Sequence, residues 1–480
     1  MSVNLSAQNL YKDVERNVPR YRYARIPLNN LPSGQVVFTP TSVQLMEWKL
    51  PTSTAFNISR SFVSGTVPYP ALAGNFLCTF EDVGGFWRQA YFGNGSGLGL
   101  VDVNFSDAYC QATLPMHKSV KETLSGDQLE QFYACNQPSN NNILPFSRDG
   151  LTAGTENASS VSYLEKQYLS IAPVANTAVT RNYLIPLSNL KDSFMSSDKD
   201  VIFGNDMYLR LWSLPLQRMC YYTTSPANPS ANVTAITSNV TVSNVYLYLA
   251  IEENLTIRQR LLEDLESGRM KMSIQYPYCY RFSVAGNSAS ANLSLTLTKN
   301  YGRNIKKIIL IPSNGGEYTN LAFDHSNLNG TKVTTLQTTI DGRPLTDYPI
   351  ACYNPNSSLI PTGTPWTAGQ SQFADDYREM RKYIDGTALM NYNVYQTNWI
   401  YQDCWGIPPS NSKDIKVPIE NLTEGFDLLK TGDHVFAITA QTPFSQQATS
   451  NTYTNGMIFY LFCIFTRTLV IQPGGITFEP

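Results

Sequence analysis

The sequence predicts an all-β protein of two tandem β-sandwiches with a few short helices, and three observations predict it. Asn, Ser and Thr fill the surface role that Lys and Glu usually take, short apolar runs alternate with turn-rich loops, and a ten-residue motif recurs half a chain apart. At 480 residues the chain is too long for one hydrophobic core, and two units of roughly 200 to 250 residues suit all-β folds. Charged residues make up only 15% of the chain and aromatic residues 12%. Asn, Ser and Thr prefer caps, turns and strand edges to helix interiors, and Tyr and Phe are strand formers.

The expected strands run over Val36–Phe38, Phe76–Phe80, Met207–Leu214, Val245–Ile251, Leu293–Leu297, Ile308–Ile311, Val435–Thr439 and Met457–Phe465. Each is bounded by turn chemistry. The last is the strongest apolar run, but its nine residues are half of what a membrane helix needs, so it is expected to be a buried strand. Long polar loops separate the runs at 93–99, 136–142, 223–239 and 354–365. Helices are expected at 256–268, with Thr256 and Gln259 as a capping box and Gly268 as the stop, at 372–385, and at 160–169.

The repeat reads IPLSNLKDSF at 185–194 and VPIENLTEGF at 417–426. Pro186 matches Pro418, Asn189 matches Asn421, Leu190 matches Leu422 and Phe194 matches Phe426. Around each copy the expected order is helix, strand, motif, strand, polar loop, apolar strand, which duplication explains better than chance. The motif itself reads as structural: proline ends a strand, Asn turns the backbone, and Leu and Phe four apart give a short helix one apolar face. A partial third copy, IPLNNL at 26–31, lacks the Phe and reads as a strand-ending turn.

Residues that could carry chemistry are sparse. His117, His325 and His434 have no metal-ligand spacing, and the eight dispersed cysteines form no C-x-x-C or C-x-x-H pattern, so the thiols are expected to be buried and reduced. The glycines at 93–99 lack the Lys-Ser/Thr of a phosphate loop. Glu252/Glu253 and Asp375/Asp376 read as helix-start acids rather than a catalytic pair. The residues imply no catalytic group, no cofactor and no metal, and the expectation is a protein that is not an enzyme. Net charge is −2, which excludes a body that wraps nucleic acid. One stretch departs from this: Lys12, Arg16, Arg20, Arg22 and Arg25 form a basic N-terminal run. It reads either as a solvated arm or as a contact for nucleic acid, lipid headgroups or an acidic partner. The opening MSVNLSAQNLYKDVERN has no apolar signal core, so synthesis without a secretory signal is expected.

The centre of the chain adds a resemblance. VYLYLAIEENLTIRQRLLEDLESGRMKMSIQY at 245–276, an apolar strand passing through acidic residues into an arginine-bearing helix, and YGRNIKKIILIPSN at 301–314 are similar to segments of the double jelly-roll major capsid proteins of double-stranded DNA viruses. That lineage includes polinton-like viruses, virophages and nucleocytoplasmic large DNA viruses. The resemblance implies two tandem eight-stranded jelly-roll β-sandwiches: an arm over 1–24, a first jelly roll over 25–268 including the linker helix, and a second over 269–480. It further implies homotrimers of pseudo-hexagonal outline that tile an icosahedral virion shell, with penton and minor capsid proteins as further partners. The arm would then lie on the inner face and reach a minor protein, an internal membrane or the genome through Lys12, Arg16, Arg20, Arg22 and Arg25. The insertions 216–242 and 441–456 would share one end of the trimer, facing outward. The alternatives are a tandem jelly-roll carbohydrate-binding or glycoside-processing protein, and a minor penton or spike protein.

Overall fold

The computed structural model describes residues 18–69, 75–78, 87–109, 143–145, 167–171, 179–216, 220–223, 233–235, 237–284, 290–297, 304–314, 335–344, 350–351, 401–404, 426–427, 434–441 and 457–479. The first half contains β1 (Tyr21–Pro27), β2 (Val36–Phe38), β3 (Leu45–Leu50), β4 (Phe56–Tyr69), β5 (Asn75–Cys78), β6 (Trp87–Asn94), β7 (Gly99–Asn104), β8 (Ile143–Pro145), β9 (Gln167–Ile171), β10 (Val179–Pro186), β11 (Asp200–Val201), β12 (Met207–Ser213), β13 (Cys220–Thr223), β14 (Val233–Ala235) and β15 (Val240–Glu252). Helix α1 (Leu255–Glu266) leads to β16 (Met270–Val284), β17 (Ser290–Leu297), β18 (Asn304–Asn314), β19 (Thr335–Ile340), β20 (Arg343–Pro344), β21 (Ile350–Ala351), β22 (Tyr401–Cys404), β23 (Phe426–Asp427), β24 (His434–Gln441), β25 (Met457–Gln472) and β26 (Gly475–Glu479).

The pairing of these strands repeats. One sheet of the first half runs β1-β15-β4-β10 and the other β3-β12-β6-β7. If these eight are lettered B to I in chain order, the sheets are B-I-D-G and C-H-E-F, the two-sheet arrangement of a jelly roll. The second half gives the same letters, with β16-β25-β18-β22 as B-I-D-G and β17-β24-β19-β20 as C-H-E-F. Even the short bridges correspond, since β11 pairs with D strand β4 and β23 pairs with D strand β18.

Period-two patterning sets the inner faces. In β12, MYLRLWS, the residues Met207, Leu209 and Leu211 are buried and join Met46, Trp48, Phe92, Val101 and Val103 from the same sheet. The facing sheet contributes Ile58, Val63, Val67, Leu247 and Leu249. Phe92 stacks on Phe194 with ring centroids 5.5 Å apart and meets Phe203 edge-on at 6.1 Å, closing one end of this core.

β25 breaks the alternation. Residues 458–465 are all buried, because both faces of the strand are covered. Phe459, Leu461, Cys463 and Phe465 share a face with Tyr276, Tyr278 and Tyr280 of β16 and point into the second sandwich. Tyr460 and Phe462 point the other way and meet Phe105 and Tyr109, just beyond β7, at 4.7 and 4.9 Å. The seam also takes Gly204, where a Cβ would stand 2.5 Å from the carbonyl oxygen of Pro473.

Four sequence expectations are corrected. The first turn of α1 is capped by Asn254, whose side-chain oxygen accepts from the Thr256 amide at 3.0 Å, so the Thr256/Gln259 capping box is not made and Gln259 donates to Glu263 instead. Gly268, at φ +66°, does end the helix. Gln167–Ile171 is strand β9 rather than helix, because its Tyr, Leu and Ile extend in a ladder between β5 and β8; residues 160–166 and 372–385 lie outside the described residues. The insertion at 216–242 is not only loop: β13 and β14 join β5, β9 and β8 in a third sheet, β14-β13-β5-β9-β8, at the end of the jelly roll where D–E, F–G and H–I connect. Finally, β1 starts at Tyr21, inside the expected arm, because Tyr21–Pro27 pairs along its whole length with β15.

Phe194 is fully buried against Phe92, and Phe194→Ala is expected to lower stability by about 3–5 kcal/mol. Urea unfolding of the variant beside the parent checks this, and equal midpoints would show that the ring does not hold the core end.

Candidate functional site

The structure separates the two copies of the repeated motif. In the first, β10 ends at Pro186, a 3₁₀ turn spans Leu187–Asn189 with Leu190 as its C-cap, and a second turn spans Phe194–Ser196, so Leu190 and Phe194 lie on two turns rather than one helix. The cause is Ser193: its hydroxyl accepts from the Met195 amide and donates to the Leu190 carbonyl, restarting the chain between them. Asn189 and Leu190 are buried with Phe194. In the second copy Pro418, Asn421 and Leu422 lie outside the described residues, and Phe426 stands in the bridge β23, opposite Ile305. That is the place β11 holds in the first jelly roll, just after the matched Phe194, so the local structures of the two phenylalanines differ.

Three of the five basic residues are drawn into the body. The Arg20 amide donates to Glu252 Oε1 at 2.9 Å, Arg22 pairs with Glu253 at 2.7 Å, and the Arg25 guanidinium lies 4.4 Å from the centroid of the Tyr246 ring. Lys12 and Arg16 lie outside the described residues. The acids Glu252 and Glu253 are therefore structural. Glu252 is buried and its Oε1 also accepts from the Asn254 amide at 2.7 Å, tying the start of β1 to the strand-to-helix corner.

Beside this corner lies a polar cluster. Arg60 grips Asp198 with two bonds of 2.9 and 3.0 Å, which hold the Asp198 carboxyl below its usual range. Tyr21 donates to Asp200 at 2.8 Å, and Asn57 donates to both aspartates. Burial pushes the Asp200 carboxyl up, and burial together with the Asp200 bond pushes the Tyr21 hydroxyl up. Among the described residues, no group of three or more His, Cys, Asp and Glu is arranged to hold a metal ion, and no helix is long and apolar enough to cross a membrane. The glycine run 93–99 is a hairpin turn: Asn94 Oδ1 accepts from Ser96 and Leu98 amides, and Gly97 takes φ +94°.

The surface that sequence reading missed is the outer face of the first B-I-D-G sheet. Tyr23, Phe62 and Tyr248 form a row across β1, β4 and β15, with centroids 5.2 Å apart for Tyr23–Phe62 and 5.0 Å for the stacked Phe62–Tyr248 pair. Arg25 and Tyr246 extend the row, and all three tyrosines are half-buried. The signal was available in VYLYLA, where tyrosines alternate with the core residues Val245, Leu247 and Leu249. The same face of the second jelly roll, at Tyr460 and Phe462, is the one covered by Phe105 and Tyr109.

Sheet order therefore decides the architecture. The chain has the double jelly-roll fold. Solved structures agree: a chain of the Sputnik virophage matches with TM-score 0.52 and 12% identity over 96% of this chain and 88% of the other. A chain of the PBCV-1 virus capsid matches with TM-score 0.50 and 8% identity over 97% and 98%. No protein-family model matches the sequence, and no curated protein matches it.

The double jelly-roll chain carries its pH sensitivity partly in the cluster beside β1. A carboxyl raised by burial contributes stability that is complete below the ordinary value of about 3.9 and lost as pH rises through the folded-state value. Asp200→Asn keeps an acceptor oxygen for Tyr21 and removes that loss. Its melting temperature should exceed the parent's at pH 7 and equal it at pH 3; a lower value at pH 7 would show that the Asp200 charge is needed.

Proposed function

We propose that this chain is a major capsid protein whose copies assemble as homotrimers of pseudo-hexagonal outline and tile an icosahedral virion shell. The observation that carries this reading is the seam inside one chain: the outer B-I-D-G face of the second jelly roll is covered by the F-strand end of the first. A contact of this head-to-tail kind forms rings when the rotation closes. The outer B-I-D-G face of the first jelly roll presents Tyr23, Tyr246, Tyr248 and Arg25 around the buried Phe62, residue types enriched in interface cores and hot spots. Seating the second jelly roll of a neighbouring copy there continues the seam, and three chains complete a ring of six sandwiches. The similarity to a chain of the PBCV-1 virus capsid supports the same reading at the level of fold.

The two ends of the first jelly roll differ in a way that suits a shell. The third sheet lies where β15 begins, and Tyr21 pairs with Glu252 where β15 ends, so the N-terminal arm leaves from the opposite end. With the insertions outward the arm points inward, where Lys12 and Arg16 would meet a minor capsid protein, an internal membrane or the genome. Penton proteins would fill the five-fold positions.

Sedimentation of purified protein at micromolar concentration is expected to give a trimer, and Tyr248→Glu a monomer that keeps the parent's β-sheet circular dichroism spectrum. A monomeric parent would sink the trimer, and a trimeric Tyr248→Glu would move the interface elsewhere. Removing residues 1–17, which precede β1, should leave trimers intact while impairing particle assembly. Limited proteolysis of assembled particles checks the arm's position, since cleavage in the arm before the 223–239 segment would place it outside.

A further inference from the structure

Eight cysteines among 480 residues make a given ladder partner a cysteine one time in sixty. Two of them stand on the adjacent strands β16 and β25. Cys463 is fully buried on the inner face of β25, where burial pushes its thiol far up, while Cys279 on the adjacent β16 faces the other way. Cys463 stands opposite Tyr278 and Cys279 opposite Phe462, so these two thiols lie on opposite sides of one sheet.

Cys78 and Cys220 are placed differently. In the third sheet the register of β5 against β13 sets Cys78 directly opposite Cys220. Directly opposed residues of an antiparallel pair share a face of the sheet, with Cα atoms about 4.5 or 5.5 Å apart according to their place in the ladder. Both separations fall inside the window of about 4.4–6.8 Å that a disulfide spans.

We propose that Cys78 and Cys220 are a disulfide-forming pair that ties the D–E insertion to the H–I insertion of the first jelly roll. The third sheet is where such a tie has most to do. Its strands are three to five residues long and come from three separate insertions, so each contributes little ladder while closing a long loop. The chemistry needs only a disulfide oxidant such as oxidised glutathione. One cysteine thiolate attacks a glutathione sulfur and expels a glutathione thiolate; the second cysteine attacks the mixed disulfide and expels the other. Two protein thiols are oxidised and one glutathione disulfide is reduced to two thiols. The pair stays open in a reducing compartment and closes in oxidising surroundings. This inference goes beyond the capsid reading and does not depend on it.

The test uses the full chain, incubated with reduced or with oxidised glutathione, quenched with an alkylating agent and mapped by mass spectrometry. Oxidation is expected to yield a peptide pair joining Cys78 to Cys220 that reduction separates. A faster band on a non-reducing gel should accompany it, because the stretch from 78 to 220 is closed into a loop. Cys78→Ser and Cys220→Ser should each abolish both signals, and Cys279→Ser should leave them unchanged. Full alkylation of Cys78 and Cys220 after oxidation, or their linkage only to other cysteines, would overturn the proposal.

Discussion

The contact of Tyr460 and Phe462 with Phe105 and Tyr109 is the constraint around which both sandwiches are arranged. It removes the second face of β25 from water, and so explains a strand whose residues 458–465 are buried without alternation. It also fixes the distance between the halves, because Gly204 meets the Pro473 carbonyl with no room for a side chain. Aromatic pairs at 4.7 and 4.9 Å contribute beyond their area, roughly 0.5–1.5 kcal/mol each. Stiff, buried faces of this kind hold two domains as one body where a small polar interface would leave them free to rotate.

The two sandwiches use their outer B-I-D-G faces unequally. In the second jelly roll that face is apolar at Ile458, Tyr460, Phe462 and Ile464 and is covered within the chain. In the first it mixes Tyr23, Tyr246 and Tyr248 with Arg25 and Arg60, side chains with a polar tip that tolerate water until a partner arrives. The equivalent face is thus an intrachain seam in one jelly roll and, in the other, a face compatible with both solvent and contact. The polar cluster of Tyr21, Asn57, Arg60, Asp198 and Asp200 fences one edge of that face.

Periodicity was legible in the sequence because it is a local signal. The strand cores at Met207, Val245 and Met457 needed no tertiary information. What was not legible depended on partners far along the chain. The Arg22–Glu253 ion pair and the bond from the Arg20 backbone amide to Glu252 tie a basic run to the first sheet, and nothing near residue 20 announces residue 252. The Thr256/Gln259 pattern was a valid cap signal that lost to Asn254, which lies two residues earlier and is itself held by Glu252. The outer aromatic row was visible as alternation in VYLYLA, but which face of a strand meets solvent is decided only when its neighbours are known.

Sheet order also governs when each half can finish folding. In both jelly rolls the last of the eight lettered strands, β15 or β25, lies in the middle of its sheet, between B and D. The early strands cannot become neighbours until that late strand inserts, which makes the contacts long-range and the folding slow. For the second half the wait lasts until residues 457–472 are synthesised, near the end of the chain. By then the first jelly roll already presents Phe105 and Tyr109, so the most apolar segment of the protein emerges beside a finished surface that can receive it. Ordering synthesis this way shortens the exposure of a segment that would otherwise pair with the same strand of another nascent chain.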